Sequence, residues 1–545
     1  MKAGIFLLFM ALGSLSFGGG AELYRQHCSS CHGEDRLGRV APPLFSFPPF
    51  FTLKSDEKIY RVIKEGATGM PAFNGLKDEE IKAIIEFIKK PIEREKLKWD
   101  EKRVKESSHL VELDRVDFKN LKGYTLLVER GKNLIWVMED QKILLKFPFS
   151  NMHGGIKFST SGSAYIPSRD GWIGKYSPAE GKLKRIRACI YLRNIALSPQ
   201  GDYLAASCWI PSDLLLFDSD LNLLRRFEVH GRINAVYELN SINSFVFTLR
   251  DKPLVGFINI KDLSLNYKSI DTVLEDFTID PLEEYLIGGT KEGLRVYSIK
   301  DLSPIKKLKT EGLPHLASAY FWYSKGSFYF ATPLPKKSTL SIWKAYEWEH
   351  VKDVPTGGEG FLARSHYASP YVWVDTSSDK ILLLDKRSLE VKELIPSKGK
   401  RATHTEFSGD GKVAYVSVYE KEGALVLFDG VSLRKLGEHS ASLPAGKYNF
   451  INKSRRFDPA QLGYQVFMER CWGCHHTTRE AFGPPLKWSL QKRGTALVVA
   501  QILDPEKTHR LLGYSRSAMP RIELRKEELL ALVRFMEALK DDWMD

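Results

Sequence analysis

Between residues 119 and 452 the hydrophobic pattern of the chain repeats. Short apolar runs, many of them ending in Asp or Asn, alternate with polar turns and further strand-like segments such as LSPQGDYLA and FSGDGKVAYV. The runs begin at Ile135, Ile173, Leu214, Val255, Leu294, Leu340, Ile381 and Leu425, with spacings of 38 to 46 residues. Eight units of roughly forty residues, each with four short strands, are typical of a β-propeller. We therefore predict an eight-bladed propeller here, because a sandwich or a β-helix would not show this period.

The two ends of the chain have the periodicity of amphipathic helices instead. One such helix is predicted from Ile81, Ile84, Ile85 and Ile88, and the other from Leu529, Leu532, Val533 and Met536. The predicted fold is an all-α domain, an eight-bladed propeller and a second all-α domain. The predicted boundaries are 1–20 for an export signal, 21–92 for the first domain, 93–118 for a linker, 119–452 for the propeller and 453–545 for the last domain.

Each helical end also contains a Cys-x-x-Cys-His motif. The first consists of Cys28, Cys31 and His32, and the second of Cys471, Cys474 and His475. A redox dithiol or half of a zinc site could use the cysteines alone, but the adjacent histidine indicates covalent attachment of a c-type haem. Two cysteines would form the thioethers, and the imidazole would bind the iron from one face.

The second face of each iron needs another ligand. Met70 in ATGMPAF and Met519 in SRSAMPRI follow the two motifs, and each precedes a proline. Methionine and histidine together give a haem of high reduction potential. Pro42 and Pro484 stand at matching places after the histidines, where a carbonyl could accept the imidazole N–H. These features resemble class I cytochrome c domains, so we predict two c-type haems.

The N-terminus and the cysteines indicate the compartment. Lys2, the apolar stretch AGIFLLFMALGSLSF and the small residues GGGA have the pattern of a cleaved export signal. An uncleaved anchor is the alternative, although the stretch is shorter than the ~20 residues of a membrane span. We expect a soluble periplasmic protein. Cys189 and Cys208 lie outside the haem motifs, and both a disulfide and two free thiols stay open.

The net charge of +13 could attract anionic partners. Because the positive residues are spread along the sequence, we assign them to a solvated surface. Nothing indicates nucleic-acid binding. The expected partners are small redox proteins of the cytochrome c or cupredoxin type, with a homodimer as an option.

Three segments of the propeller carry a further resemblance. MHGGIKFSTSGSAYIPSRDGWIGKYS, LRNIALSPQGDYLAASCWIPSDLLLFD and PAGKYNFINKS are similar to the haem d1-binding propeller family, which includes cytochrome cd1 nitrite reductase and dihydro-haem d1 dehydrogenase. The resemblance implies that His153 is the proximal ligand of a d1-type iron, a role suited to neutral imidazole. It also implies that Arg169 and Arg193 bind carboxylates of the tetrapyrrole.

The other side of the tetrapyrrole departs from the nitrite reductase pattern. His315 matches one of the two histidines of those enzymes, whereas Glu275 occupies the place of the second and Ser318 that of a nearby arginine. A carboxylate suits accepting a proton better than supplying one to nitrite. His404 is a further candidate for the same cavity.

Three functions follow from this resemblance. The preferred one is a dehydrogenase that converts a propionate of dihydro-haem d1 to an acrylate, with Glu275 or His315 accepting a proton. An NO-forming nitrite reductase is the first alternative, for which Glu275→His would be tolerated. A carrier of haem d1 or an electron-transfer protein without catalysis is the second.

Overall fold

The structure is a computed structural model, and it describes residues 19–39, 41–46, 53–66, 70–153, 155–453, 457–541 and 544. The predicted export signal lies almost entirely outside the described residues. The chain divides into two compact units, Met1–Lys98 and Trp99–Asp545. Among the described residues, no helix is long and apolar enough to cross a membrane.

The first unit is helical. Its α-helices are α1 Gly20–His27, α2 Ser29–His32, α3 Asp56–Glu65 and α4 Asp78–Lys89. The N-terminus of α4 is capped, because the Lys77 N–H donates to Glu80 Oε2 at 2.8 Å and three acidic residues fill the first turn. All four isoleucines of the predicted stripe are buried in this unit's core, which confirms the predicted helix.

The second unit begins with α5 Glu101–Glu106 and continues into the propeller. The strands of its first half are β1 His109–Glu112, β2 Tyr124–Glu129, β3 Leu134–Glu139, β4 Lys142–Pro148, β5 Lys157–Phe158, β6 Ala164–Pro167, β7 Trp172–Ser177, β8 Lys182–Arg187, β9 Tyr191–Leu197, β10 Tyr203–Ile210, β11 Asp213–Asp218, β12 Leu223–Glu228, β13 Ile233–Leu239, β14 Ser244–Leu249, β15 Leu254–Asn259 and β16 Leu265–Ser269.

The remaining strands are β17 Asp276–Ile279, β18 Tyr285–Thr290, β19 Gly293–Ser298, β20 Pro304–Lys309, β21 Tyr320–Ser324, β22 Ser327–Leu334, β23 Thr339–Lys344, β24 Glu349–Pro355, β25 Ala363–Arg364, β26 Tyr371–Asp375, β27 Ile381–Asp385, β28 Val391–Leu394, β29 Ala402–Phe407, β30 Val413–Val418, β31 Gly423–Asp429, β32 Lys435–Ala441 and β33 Pro444–Asn449. The chain then forms α6 Phe457–Arg470, α7 Leu486–Arg493, α8 Thr495–Leu503, α9 Pro505–Thr508 and α10 Lys526–Lys540.

In the described residues these strands form eight antiparallel sheets, which are the blades of the predicted propeller. Blade 1 is β33-β2-β3-β4, blade 2 is β5 to β8 with β1 added at its edge, and blades 3 to 8 follow in chain order from β9 to β32. The last strand pairs with the second, with Leu126 opposite Tyr448, so blade 1 joins the two ends of the ring. Each of the eight predicted apolar runs lies in the third strand of a blade.

The segment 93–118 is more than the predicted linker. Leu110 of β1 pairs with Lys184 of β8, and the Trp99 indole N–H donates to the Arg187 carbonyl at 3.0 Å. The short strand has no clear alternation of buried and exposed residues, which is why its pattern gave no prediction.

Because the strands of a blade are antiparallel, their connections alternate between two faces of the propeller. The upper face, as we name it, has the connections between second and third strands and those between blades. The lower face has the connections from first to second and from third to fourth strands. This division decides which residues can share a site.

Candidate functional site

The first Cys-x-x-Cys-His motif lies at the junction of α1 and α2. The His32 Nδ1–H donates to the Pro42 carbonyl at 2.8 Å, which leaves Nε2 free for a metal. Burial lowers the pKa of His32, so the ring stays neutral. Cys28 and Met70 pack against the same hydrophobic core.

The second motif faces a cavity of about 750 Å³ in the C-terminal module, residues 457–541. Cavities for cofactor-sized ligands measure roughly 300–1,000 Å³. Cys471, Cys474, His475 and Met519 all line this cavity, so the predicted ligands lie around one space. The His475 Nδ1–H donates to the Pro484 carbonyl at 3.0 Å, as His32 does to Pro42.

The two helical modules also share the packing of their first and last helices. A Cβ at Gly20 would lie 2.1 Å from the Ala83 carbonyl oxygen, and one at Gly463 would lie 1.9 Å from that of Ala531. Each glycine stands eight residues before the first cysteine, and each lets two helix backbones touch. In α10 the buried stripe is Ala531, Leu532, Phe535, Met536 and Leu539, so the predicted Leu529 and Val533 are only partly buried.

His153 and Arg169 are brought together on the upper face. An isolated bridge pairs Met152 with Ser168, the His153 N–H donates to the Pro167 carbonyl at 3.1 Å and the Arg169 N–H donates to the Asn151 carbonyl at 2.9 Å. Across this bridge, Arg169 NH2 donates to His153 Nε2 at 2.7 Å. The neighbouring Nδ1 of His153 and NH1 of Arg169 are buried and have no hydrogen-bond partner among the described residues.

The turn that holds Arg169 requires the Asp-Gly that follows it. Asp170 accepts hydrogen bonds from Ser168 Oγ and from Asn151 Nδ2, the latter at 3.2 Å. Gly171 has φ +90°, and a Cβ there would lie 1.7 Å from the Cys189 carbonyl oxygen. Only glycine fits this conformation and contact.

Aromatic rings orient the two predicted arginines. Tyr191 and Trp209 stack with ring centroids 5.5 Å apart. Arg169 lies over Tyr191 at 5.2 Å and Arg193 lies over Trp209 at 5.5 Å, within the range of cation–π contacts. Beside them, Cys189 and Cys208 form a disulfide, which settles the alternative left open by the sequence.

Further arginines surround His153, and their charges add to burial in keeping its imidazole neutral. Burial, followed by the charges of Arg169, Arg193 and Arg130, lowers the pKa of His153 to about 2. Arg250 is affected in the same way, because burial and the charges of Arg193 and Arg232 lower its pKa. Part of the positive charge assigned to a solvated surface is therefore gathered on this face.

Sequence reasoning missed Arg130 and Arg250, although a signal was present. Both follow the second strand of a blade directly, and Arg169 stands two residues after another second strand. An alignment of the repeats would have shown an arginine just after the second strand in blades 1, 2 and 4.

Glu275 and His315 lie in neighbouring connections of the same face. The Leu316 N–H donates to Asp276 Oδ2 at 2.9 Å, which ties the two segments together. The His315 Nδ1 lies 2.8 Å from both Ser318 Oγ and the Phe361 carbonyl, and its Nε2 has no hydrogen-bond partner in the described part of the chain. Both side chains are partly exposed, so a ligand could reach them.

His404 lies at a distortion of β29. Its φ is +54°, and the pairing of β29 with β30 shifts between Thr403 and Glu406, as at a β-bulge that redirects a side chain. Burial, followed by the charges of Lys447 and Arg130, lowers the pKa of His404 well below its usual value. Arg130 is thus an electrostatic neighbour of both His153 and His404.

The architecture is that of a propeller whose upper face holds the partly buried His153 among arginines, with Cys-x-x-Cys-His motifs in separate helical modules. The family model described as "Cytochrome D1 heme domain" matches residues 119–453, and this chain belongs to that family. The model of "Cytochrome C oxidase, cbb3-type, subunit III" matches residues 17–88. Neither match extends into the C-terminal module.

Two relatives share most of the chain. A dihydro-heme d1 dehydrogenase of Pseudomonas aeruginosa is 33% identical over 481 residues, which cover 82% of this chain and 97% of that protein. A solved structure described as "Dihydro-heme d1 dehydrogenase NirN in complex with DHE" is 32% identical with a TM-score of 0.74, covering 80% of this chain and 99% of the other. About a fifth of this chain therefore has no counterpart in that structure.

Proposed function

We propose that this protein is a periplasmic dihydro-haem d1 dehydrogenase. The reaction converts a –CH2–CH2–COO⁻ side chain of the tetrapyrrole to –CH=CH–COO⁻ and releases two electrons and two protons. The observation that carries the proposal is the partly buried His153, whose Nε2 accepts a hydrogen bond from Arg169 on a cationic face. The similarity to the curated dehydrogenase and to the solved dehydrogenase structure supports the same conclusion.

His153 and the arginines fit a tetrapyrrole that carries iron and carboxylates. The iron would bind His153 at Nε2, because this atom accepts the hydrogen bond from Arg169 and therefore carries a lone pair. Arg169 would then exchange its hydrogen bond with the imidazole for a bidentate pair with a carboxylate. Arg193 lies in the same layer of rings and guanidinium groups, and its Nε is already held by the Asn234 carbonyl at 2.7 Å.

Glu275 and His315 would accept the protons that leave the propionate. Each offers a basic atom, namely a carboxylate oxygen and a ring nitrogen, and the bond between Leu316 and Asp276 keeps their segments adjacent. A general base contributes typically 10²–10⁴-fold to a rate. We assign His404 to the wall of the tetrapyrrole cavity, where it would remain neutral.

The residues around the helical motifs fit two c-type haems, which accept single electrons when bound. In the C-terminal module the cavity holds two cysteines, a histidine oriented by a carbonyl, and Met519. Gly483 leaves room for the imidazole, because a Cβ there would lie 2.2 Å from the His475 ring. The two haems would pass electrons to small redox proteins, and the disulfide Cys189–Cys208 agrees with an oxidising compartment.

A single-turnover experiment tests the proposal. The oxidised protein, with its c-type haems in place, is mixed anaerobically with dihydro-haem d1, and absorption spectra follow the tetrapyrrole and the c-type haems. We expect two c-type haems reduced per tetrapyrrole oxidised. Glu275→Gln should slow this step at least about tenfold, whereas Glu292→Gln, an exposed change in the same blade, should not.

Two outcomes would contradict the assignment. Tight binding of the tetrapyrrole with no reduction of the c-type haems would indicate a carrier. Production of NO from nitrite by the reduced, d1-loaded protein, faster than it oxidises dihydro-haem d1, would indicate a nitrite reductase.

A further inference from the structure

The C-terminal module is bound to the lower face of the propeller. Glu469 of α6 accepts hydrogen bonds from the N–H groups of Lys325 at 2.9 Å and Gly326 at 3.1 Å. Gln465 accepts from the Tyr323 N–H at 2.8 Å. These partners form the turn between the first and second strands of blade 6, which belongs to the lower face.

Helix α10 adds a second set of contacts to the same face. Arg525 pairs with Glu347 between β23 and β24, and Lys526 pairs with Glu284 between β17 and β18. Glu528 is buried and accepts hydrogen bonds from Tyr323 Oη and from Arg470 NH2, the latter at 2.9 Å. Since Arg470 directly precedes Cys471, this cluster fixes the haem motif relative to the blade.

The cavity of the C-terminal module is therefore separated from the residues of the tetrapyrrole site by the thickness of the ring. His153, Arg169, Glu275 and His315 all lie in connections of the upper face, whereas α6 and α10 bind connections of the lower one. A strand of six residues such as β23 spans about 20 Å. A partner can reach this cavity without covering the upper face.

The mouth of this cavity is apolar at its centre. Phe482, Tyr514 and Trp488 line it and are 81%, 44% and 40% exposed. Arg493 lies between the rings of Trp488 and Tyr514, at 5.2 and 5.1 Å from their centroids, and donates to Tyr514 Oη at 2.8 Å.

The surroundings of the mouth are basic. Residues 479–521 contain eight Lys and Arg against three Asp and Glu, a surplus of five positive charges. Arg479 and Arg510 are exposed and stand next to cavity-lining residues without lining the cavity themselves. An apolar centre with a charged rim suits a brief, electrostatically steered encounter.

We propose that this mouth is the docking surface for a small redox protein with an acidic face around its own cofactor. The inference rests on the proposed C-terminal c-type haem and gives it a role as an outlet on the face opposite the tetrapyrrole. In each encounter one electron leaves a ferrous haem, which becomes ferric, and the oxidised partner is reduced by that electron.

Charge reversal at the rim tests this surface. Haem content per chain is measured first, and the reduced protein is then mixed in a stopped-flow instrument with oxidised plastocyanin, an acidic cupredoxin, or with mitochondrial cytochrome c, a basic protein. Arg479→Glu with Arg510→Glu should lower the second-order rate constant for plastocyanin by about tenfold at low salt, and high salt should remove the difference. Lys306→Glu with Lys309→Glu, exposed on the outer strand of blade 5, makes the same change in net charge and should have less than about a threefold effect.

The outcomes separate this inference from the one on which it rests. One c-type haem per chain would overturn both the second haem and the docking surface. The docking surface alone would be overturned by either of two results from a protein with two haems. One is a rate constant for plastocyanin that does not change when the rim charges are reversed, and the other is a rate constant for plastocyanin below that for cytochrome c. An unchanged haem content in the rim variant is expected, because neither arginine lines the cavity.

Discussion

Substitution of Glu528 tests the attachment of the C-terminal module to the propeller. Its carboxylate joins three groups from different segments, namely Tyr323 of β21, Arg470 of α6 and the Arg525 N–H at the start of α10, which donates at 2.8 Å. Glu528→Ala removes the common acceptor and leaves the buried Tyr323 hydroxyl without the carboxylate to which it donates. We expect the module to open far more often, that is, to unfold locally with all three contacts broken.

The magnitude follows from the three contacts. A buried hydrogen bond to a charged group is worth about 1.5–3 kcal/mol. The Arg470 side chain is 38% exposed, so its ion pair adds only about 0.5–1 kcal/mol, and the helix cap adds about 0.5–1 kcal/mol. The expected loss is about 3 kcal/mol, which corresponds to about a hundredfold increase in the population of the open state.

Hydrogen exchange measured by mass spectrometry reports this opening locally. Peptides from residues 457–541 should exchange about a hundredfold faster in Glu528→Ala, while peptides from blades 2 to 4 should not change. Glu537→Ala is the matched control, because that residue lies on the exposed side of α10 and, within the described part of the chain, its carboxylate pairs only with Arg534 at 3.1 Å. Equal exchange in the two variants would refute the reasoning.

The same contact should depend on pH. Burial acts to raise the pKa of Glu528, but hydrogen bonds from Tyr323, the Arg525 N–H and Arg470 outweigh it and lower the pKa overall. A carboxylate with a lowered pKa stabilises the folded state above its unfolded pKa of about 4.3. The stabilisation is lost as the pH falls through the lowered folded value, so the exchange difference between wild type and Glu528→Ala should shrink in acid.

Three further changes have expected outcomes. Gly463→Ala places a Cβ against the Ala531 carbonyl and should lower the stability of the C-terminal module by about 1–3 kcal/mol in thermal unfolding. Gly473→Ala is the control, because a Cβ at that position would meet nothing within 4 Å. Equal losses of stability in the two variants would contradict the close packing of α6 against α10. Replacing both Cys189 and Cys208 by serine should cost about 2–4 kcal/mol in denaturant unfolding, and no loss would show that the bridge is dispensable. The cofactor-free protein should lose stability below about pH 6.5, because His153 binds a proton there in the unfolded chain but not in the folded one, where its pKa is about 2. In His153→Gln, the plot of unfolding free energy against pH should be shallower by the equivalent of about one proton. Identical slopes in the two proteins would contradict the burial of His153.

The repeating part of the fold could be predicted because each blade has a local pattern. The apolar run of the third strand is flanked by other strands and buried on both faces, as in β3 and β31, so it stands out in every unit. The closure of blade 1 was not predicted, since the pairing of β33 with β2 joins residues more than 300 positions apart. Strand β1 was missed because its four residues are mostly exposed.

The site was predictable to the extent that motifs carry it. The Cys-x-x-Cys-His motifs and the Arg-Asp-Gly turn are short and local, whereas Arg130 approaches His153 only once β2, β3 and β4 of blade 1 have paired. The attachment of the C-terminal module to the propeller could not be predicted from the sequence either, because Glu469 and Glu528 have the pattern of ordinary surface residues of amphipathic helices. Their partners are turns of the propeller that no periodicity connects to them.

The central claim, that His153 binds the tetrapyrrole iron, is tested most directly by electron paramagnetic resonance of the protein loaded with ferric haem d1, compared with the same sample of His153→Ala. We predict a d1 signal with the features of histidine ligation in wild type, its loss in the variant, and its return on addition of free imidazole. An identical d1 signal in both proteins, unaffected by imidazole, would contradict the claim.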